Sequence, residues 1–236
     1  MMECKNLLNK LFGKNYSIVE EKNESFYGVG ELKDKEIHIL GTPNNTYIGT
    51  DIALYLSDKI LKIIKNNKRE PILILVDTLG QKLSHHDELL GINLYLSHLS
   101  KCIELARLKG HKVISIGRNE SVSGGSLCTN LLADSCFALD CASYGVMNLP
   151  SMSRITQIPL RKLEQLSTTS PLFDTNVNNY YVMGAIETIW NIDEDLSSFL
   201  WEAINNEENI DNRRILGSNR KGRKEALRVS SLVEEA

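Results

Sequence analysis

Directly after Pro71 the chain runs Ile72-Leu73-Ile74-Leu75-Val76, apolar at every position. A strand apolar on both faces has no side to offer water, so it belongs inside a sheet that is covered on both sides. Further along, Ser84 stands where a helix cap belongs, with Asp87 in the position of a capping-box acid. The stripe Leu89, Ile92, Leu96, Leu99, Ile103, Ala106 then recurs at helical spacing up to Gly110, a good C-terminal stop. Val113 to Gly117 reads as a second strand. Strand, crossover helix, strand is a parallel βαβ unit, right-handed by default.

The flanking segments repeat the alternation. Glu36 to Leu40 reads as a short strand, followed by a loop from Gly41 to Asn45. Ile52, Leu56, Ile60 and Ile63 mark an amphipathic helix. After Gly125 a short helix is expected through Leu127, Cys128, Leu131 and Leu132, then short strands at Cys136 to Leu139 and Tyr144 to Met147. Leu196, Phe199, Leu200 and Ile204 form one face of a later helix, and the tail from Asp211 is helix-prone but thinly apolar. The simplest account is one domain over 1–236, with a core of about 25–192 and a helical C-terminal extension over 193–236.

Composition narrows the partners. A net charge of −3 implies no field strong enough to suggest nucleic acid or an anionic membrane. No run approaches the roughly 20 apolar residues of a membrane helix. The stretch from Met1 to Lys14 lacks the apolar core of a signal peptide, so the expected location is cytoplasmic. The five cysteines, Cys4, Cys102, Cys128, Cys136 and Cys141, form no CxxC pair and read as small buried side chains.

Chemistry concentrates at two strand ends. Ser123-Gly124-Gly125 stands at a strand-to-helix junction, where glycines let the backbone approach a ligand and leave N–H groups free for an oxyanion or carboxylate. The plain alternative is that these glycines only permit tight packing. Asp77-Thr78-Leu79-Gly80-Gln81 ends the buried strand, on the side of a parallel sheet where ligands bind. Its plain alternative is a self-capping turn. A serine hydrolase is excluded in the Ser, His, Asp order of the caseinolytic proteases. His38, His85, His86, His98 and His111 all precede Ser123, and Ser123 lies outside a GxSxG elbow. The histidines show no HExxH or other close ligand spacing, so no metal site is expected.

Several segments together resemble the malonate decarboxylase gamma-subunit family, in the carboxyltransferase branch of the crotonase superfamily. They are Val76-Asp77-Thr78-Leu79-Gly80-Gln81, Asp87 to Asn93, Ser123-Gly124-Gly125, Val146 to Thr156 and Leu163 to Ser167. Ser170-Pro171-Leu172-Phe173 and Tyr181 to Glu187 fit as well. The match runs from about Gly30 to Trp190; Leu79 and Ser126 depart from the family pattern, which bears on the lining of the pocket.

The resemblance implies an α/β crotonase-like fold of repeated ββα units. It implies a biotin-independent enzyme in which this chain and a beta subunit decarboxylate a malonyl thioester to the acetyl thioester. The acyl group would ride on the phosphopantetheine-type arm of an acyl-carrier subunit, with no cofactor bound by this chain. Catalysis is then expected from Ser123, Gly124 and Gly125, and substrate binding from Asp77, Thr78, Gly80, Gln81 and Arg154. Arg220, Lys221, Arg223 and Lys224 are further candidates for the phosphates of the arm, against the reading of a solvated charged face. The same fold also serves biotin-dependent carboxyltransferases and enoyl-CoA hydratases or isomerases. The latter need an acid or base, for which Glu88, Asp134 and Glu164 are available. A non-catalytic scaffold is the remaining alternative.

Overall fold

The computed structural model describes residues 2–170, 173–206 and 211–235; Pro171 and Leu172 of the family motif lie outside that set. The chain begins with α1 (Cys4–Phe12), β1 (Tyr16–Lys22), β2 (Ser25–Leu32), β3 (Lys35–Gly41) and β4 (Thr46–Ile48). Then come α2 (Thr50–Lys65), β5 (Ile72–Gln81), α3 (His85–Leu90), α4 (Ile92–Leu108), β6 (Val113–Val122) and α5 (Ser123–Thr129). Next are β7 (Ser135–Leu139), β8 (Ser143–Gly145), α6 (Leu149–Thr156), α7 (Leu160–Ser167) and α8 (Val177–Val182). The remainder is β9 (Thr188–Trp190), α9 (Leu196–Asn205), α10 (Arg213–Asn219) and α11 (Ala226–Glu234).

The main sheet runs β1-β2-β3-β5-β6-β7-β9, antiparallel through β3 and parallel from there on. The uninterrupted apolar strand is central, as its composition requires. Strand periodicity divides its side chains between two cores. Ile72, Ile74 and Val76 pack with α2 and α4, while Leu73 and Leu75 pack with Leu7 and Leu11 of α1 and Leu200 of α9. Each large apolar side chain so buried contributes about 1.5–3 kcal/mol. Among the described residues no helix is long and apolar enough to cross a membrane.

Several expectations change. Helix α5 ends earlier than expected, at Thr129, and so does β8, at Gly145. The strands expected to end at Val76 and Gly117 continue to Gln81 and Val122. The helix expected from Ser84 to Gly110 is broken at Gly91, whose φ of 78° is left-handed, and Leu89 is 73% exposed instead of lying in the core. Helix α1, outside the expected core, buries Leu7, Leu8, Leu11 and Phe12. The C-terminal segment packs back on the body: α9 enters the second core, and Arg220 donates to the carbonyls of Tyr181, Ile186 and Glu187. Arg220 is therefore occupied within the chain.

Candidate active site

The extra length of β5 and β6 builds the site. Both strands pair with the main sheet in their first halves, and the register between them shifts between Val76 and Thr78. Beyond that point β5 takes β4 as a neighbour, with Tyr47 opposite Gly80 and Ile48 opposite Gln81. The end of β6 takes β8, with Ser121 opposite Tyr144. Most of the polar contacts at the bend run between strands. Asp77 and Arg118, each with 1% side-chain exposure, form an ion pair at 2.6 Å. The Asp77 carboxylate also accepts from Asn119 Nδ2 at 2.9 Å and from the Glu120 N–H at 3.1 Å. Arg118 donates in addition to the carbonyls of Met2 and Pro43, so this pair ties the N-terminal segment to the strand ends. Thr78 Oγ1 donates to the Thr46 carbonyl and accepts from the Gly80 N–H. Asp77 and Thr78 thus lie buried beneath the site, where they hold its shape. Their side-chain oxygens are bonded within the chain, with Asp77 1% and Thr78 0% exposed.

Above this layer the chain turns into α5 through Ser123, whose φ of 55° is left-handed. A non-glycine residue in that region carries strain and is found where the surroundings impose it. Here the close approach of α5 to β5 imposes it. A Cβ on Gly125 would stand 2.8 Å from the Gly80 carbonyl carbon and oxygen and 2.9 Å from Thr78 Oγ1, so only glycine lets the two backbones meet. Gly80 itself has a φ of 110°. The result is a pair of donors aimed at one point. Ser123 Oγ and the Gly124 N–H both donate to Gln81 Oε1, each at 3.1 Å. Only the oxygen end of an amide can accept from an N–H, so the orientation of the Gln81 side chain is fixed.

Gln81 and Ser123 line an open cleft of about 470 Å³, with Leu79, Met147 and Asn148 among its walls. Arg154 of α6 stands on the same cleft, exposed, and its guanidinium makes no ion pair or hydrogen bond among the described residues. Lys82, 3.8 Å from Asp87, is the other cation of the lining. No Asp, Glu, His or Cys contributes to it among the described residues. The rim is apolar: Leu83, Val146 and Ile155 are 78%, 75% and 67% exposed.

The remaining candidates lie elsewhere. Asp134 pairs with Arg107 at 2.8 Å and accepts from the Val113 N–H, at the start of β6 and so at the opposite end of the sheet from Ser123. Glu88, Glu164, His85 and His86 are exposed and do not line the cleft. Glu36, His38 and Glu70 come within 4.8 Å of one another, a grouping that no local spacing announced. The ring nitrogens of His38 are already engaged, one by Tyr27 at 3.1 Å and the other by Glu70 at 3.0 Å. Of the cysteines, Cys102, Cys128 and Cys136 are buried as expected, Cys4 is half-buried and Cys141 is exposed. Burial pushes the Cys128 thiol up to about 12. Leu79 departs from the family pattern, whereas Met147 and Asn148 carry no sequence signal of lining a site beyond lying in a shared motif.

Comparison with known proteins bears on this geometry. The family model described as malonate decarboxylase gamma subunit, MdcE, matches residues 43–236. A malonyl-S-ACP:biotin-protein carboxyltransferase, MADD, of Malonomonas rubra is 30% identical over 141 residues, 58% of this chain and 48% of that protein. This chain therefore spans about half the length of that relative. Among solved structures, a Pseudomonas malonate decarboxylase hetero-tetramer in complex with coenzyme A superposes with a TM-score of 0.83 at 20% identity, covering 97% of both chains. A Pseudomonas MdcD-MdcE hetero-dimer gives 0.79 at 22% identity, again over 97% of both. Transcarboxylase 12S gives 0.72 at 14% identity, over 86% of this chain and 41% of that one. At these identities what the solved structures share with this chain is the fold, the mixed α/β fold of the carboxyltransferase and crotonase-like proteins.

Proposed function

The chain belongs to the malonate decarboxylase gamma-subunit family, and from that premise we propose that it works with a beta subunit to decarboxylate a malonyl thioester carried by an acyl-carrier subunit. The observation that carries this reading is the convergence of Ser123 Oγ and the Gly124 N–H on a single point. Loss of CO2 breaks the bond between Cα and the carboxylate carbon. Its electron pair passes into the thioester carbonyl, giving an enolate whose oxygen carries the new charge. Two donors fixed in advance at the place of that oxygen stabilise the transition state more than the neutral ground state, which is the condition for catalysis. The enolate then takes a proton at carbon to become the acetyl thioester.

The rest of the cleft agrees with this division of labour. Among the described residues the lining holds no carboxylate, imidazole or thiol, and so offers no acid–base pair for hydration or isomerisation of an enoyl thioester. Arg154 and Lys82 supply positive charge beside the cleft. A cation on the departing carboxylate would stabilise the ground state, so their fitting partner is a phosphate of the thioester arm. The apolar rim of Leu83, Val146 and Ile155 is a surface for the beta subunit, which completes the site. The cytoplasm is the compartment that suits such a complex.

The test is an assay of the co-expressed complex on malonyl thioester, with CO2 as the readout. Gly124→Val places a Cβ 2.6 Å from Gln81 Oε1, in the space of the converging donors. It should lower kcat by roughly 10²–10³-fold, the usual effect of losing one oxyanion donor, while the complex still assembles. Full activity in that variant would sink the reading. The Malonomonas relative supports a second one, transfer of the carboxyl group to a biotin protein. CO2 release that stops when avidin is added would favour transfer, and release indifferent to avidin favours direct decarboxylation.

A further inference from the structure

The point at which the two donors converge is not left to water. We infer that the Gln81 amide oxygen is a stand-in for the thioester carbonyl oxygen, competing with substrate for Ser123 Oγ and the Gly124 N–H and swinging aside when substrate binds. The inference rests on the reading above and assigns Gln81 a role distinct from gripping the substrate. An amide oxygen and a thioester oxygen are both neutral sp² acceptors, so one can replace the other on the same donors. The amide oxygen accepts from both donors at 3.1 Å, the hydrogen-bonding position a substrate oxygen would need.

Displacement needs only side-chain rotation. The backbone at Gln81 is held by pairing with Ile48 and by the bond from the Lys82 N–H to the Ile48 carbonyl at 2.9 Å. The side chain beyond it is part-exposed and lines the cleft. The turn itself is held by the packing of Gly125 on Gly80 and Thr78, which does not depend on Gln81. The Gln81 amide pairs the two donors until a substrate oxygen replaces it, since donors in native structures are seldom left without a partner. The exchange favours catalysis as well, because an enolate oxygen bears charge and holds the donors more tightly than a neutral amide does.

Competition of this kind acts on binding and leaves the chemical step alone. Apparent affinity is reduced by the fraction of molecules in which the donors are free. In the assembled complex, Gln81→Met keeps the bulk without the acceptor, and Gln81→Ala removes both. Each should lower KM for the malonyl thioester roughly fivefold, with kcat unchanged, as expected if the donors are free about a fifth of the time. Calorimetric titration with acetyl-CoA should show the same gain in affinity without any turnover. Gln81→Glu should do the reverse. Its carboxylate makes charge-assisted bonds to the same donors, so KM rises at neutral pH and falls back as the carboxyl group protonates at lower pH. A merely structural role would lower kcat in all three variants and leave KM without this pH dependence. A direct grip on substrate would raise KM in Gln81→Met and Gln81→Ala. Either result overturns the inference, as does wild-type behaviour of all three in an active complex. If the wild-type complex neither releases CO2 nor binds acetyl-CoA, the functional reading fails first and takes this one with it.

Discussion

Asp77 and Gln81 stand four residues apart on β5, and the chain treats them in opposite ways. Asp77 lies under the bend with its carboxylate bonded to Arg118, Asn119 and the Glu120 backbone, all within the protein. Gln81 lies above the bend with its amide oxygen on two donors at the surface of an open cleft. The Asp77 bonds all engage its charge, one of them with the Arg118 cation, and are shut from water, so nothing displaces them. The Gln81 bonds join neutral groups within reach of a ligand, so a better acceptor does. One strand thereby supplies the rigid support of the site and its exchangeable part.

The first way to test that contrast is to break the rigid member. Asp77→Ala leaves the Arg118 guanidinium buried without its counter-ion. Removing one partner of a buried pair costs about 3–5 kcal/mol, so urea unfolding of the purified chain should show a loss of that order. Asp77→Asn keeps the shape and some of the hydrogen bonds and should lose less. If Asp77→Ala unfolds like wild type, Asp77 is no support and the contrast collapses.

A smaller effect is expected at the contact between the two layers. Gly125→Val must push α5 away from the Gly80 carbonyl, and overpacking of this kind costs about 1–3 kcal/mol. Because Ser123 and Gly124 ride on the same turn, CO2 release should fall well beyond what the lost stability explains. A variant destabilised but fully active would show that the donors do not depend on this packing.

How far the sequence announced this arrangement follows from the range of each interaction. The βαβ unit was legible because it rests on local periodicity: Ile72 to Val76, the stripe from Ile92 to Ala106, and Val113 to Gly117. The Ser123-Gly124-Gly125 turn was legible because its glycines have a local use. The strand extensions were not. Asp77-Thr78-Leu79-Gly80 and Arg118-Asn119-Glu120 have the composition of turns, and what keeps them extended is a set of bonds between residues 41 to 43 positions apart. The place of α1 was hidden for a related reason. Its short apolar stripe finds its partner in α9, at the far end of the chain. The role of Gln81 needed the geometry outright, since its partners Ser123 and Gly124 lie 42 and 43 residues away.

Arg154 extends the exchangeable side of the comparison, and its loss should cost less than either change above. With no ion-pair or hydrogen-bond partner for its guanidinium among the described residues, it is free to meet a phosphate. A single exposed charge pair is worth about 1 kcal/mol or less, so Arg154→Ala should raise KM for the carrier-borne substrate by roughly threefold to fivefold. The effect should shrink as salt is raised, because exposed charges are screened. A short malonyl thioester lacking phosphate should show no change. Equal effects on both substrates would move Arg154 from the arm to the acyl group.

A separate effect, on stability and not on KM, belongs to Asp87, which behaves like Asp77 although it stands beside the cleft. Its carboxylate accepts from Ser84 and from the Thr50 N–H and hydroxyl, and these bonds hold its pKa down at about 2, below the ordinary 3.8. A carboxylate depressed in this way adds stability that is present in full above about pH 4. The contribution falls away as pH drops toward 2, because the unfolded chain binds the proton first. Asn at this position carries no charge to protonate. The melting temperatures of wild type and Asp87→Asn should therefore differ most above pH 4, and the gap should close as pH approaches 2. A gap independent of pH would mean that the Asp87 bonds hold the start of α2 by shape alone. Asp87 would then differ from Asp77, whose hold on the strand ends rests on its buried ion pair with Arg118.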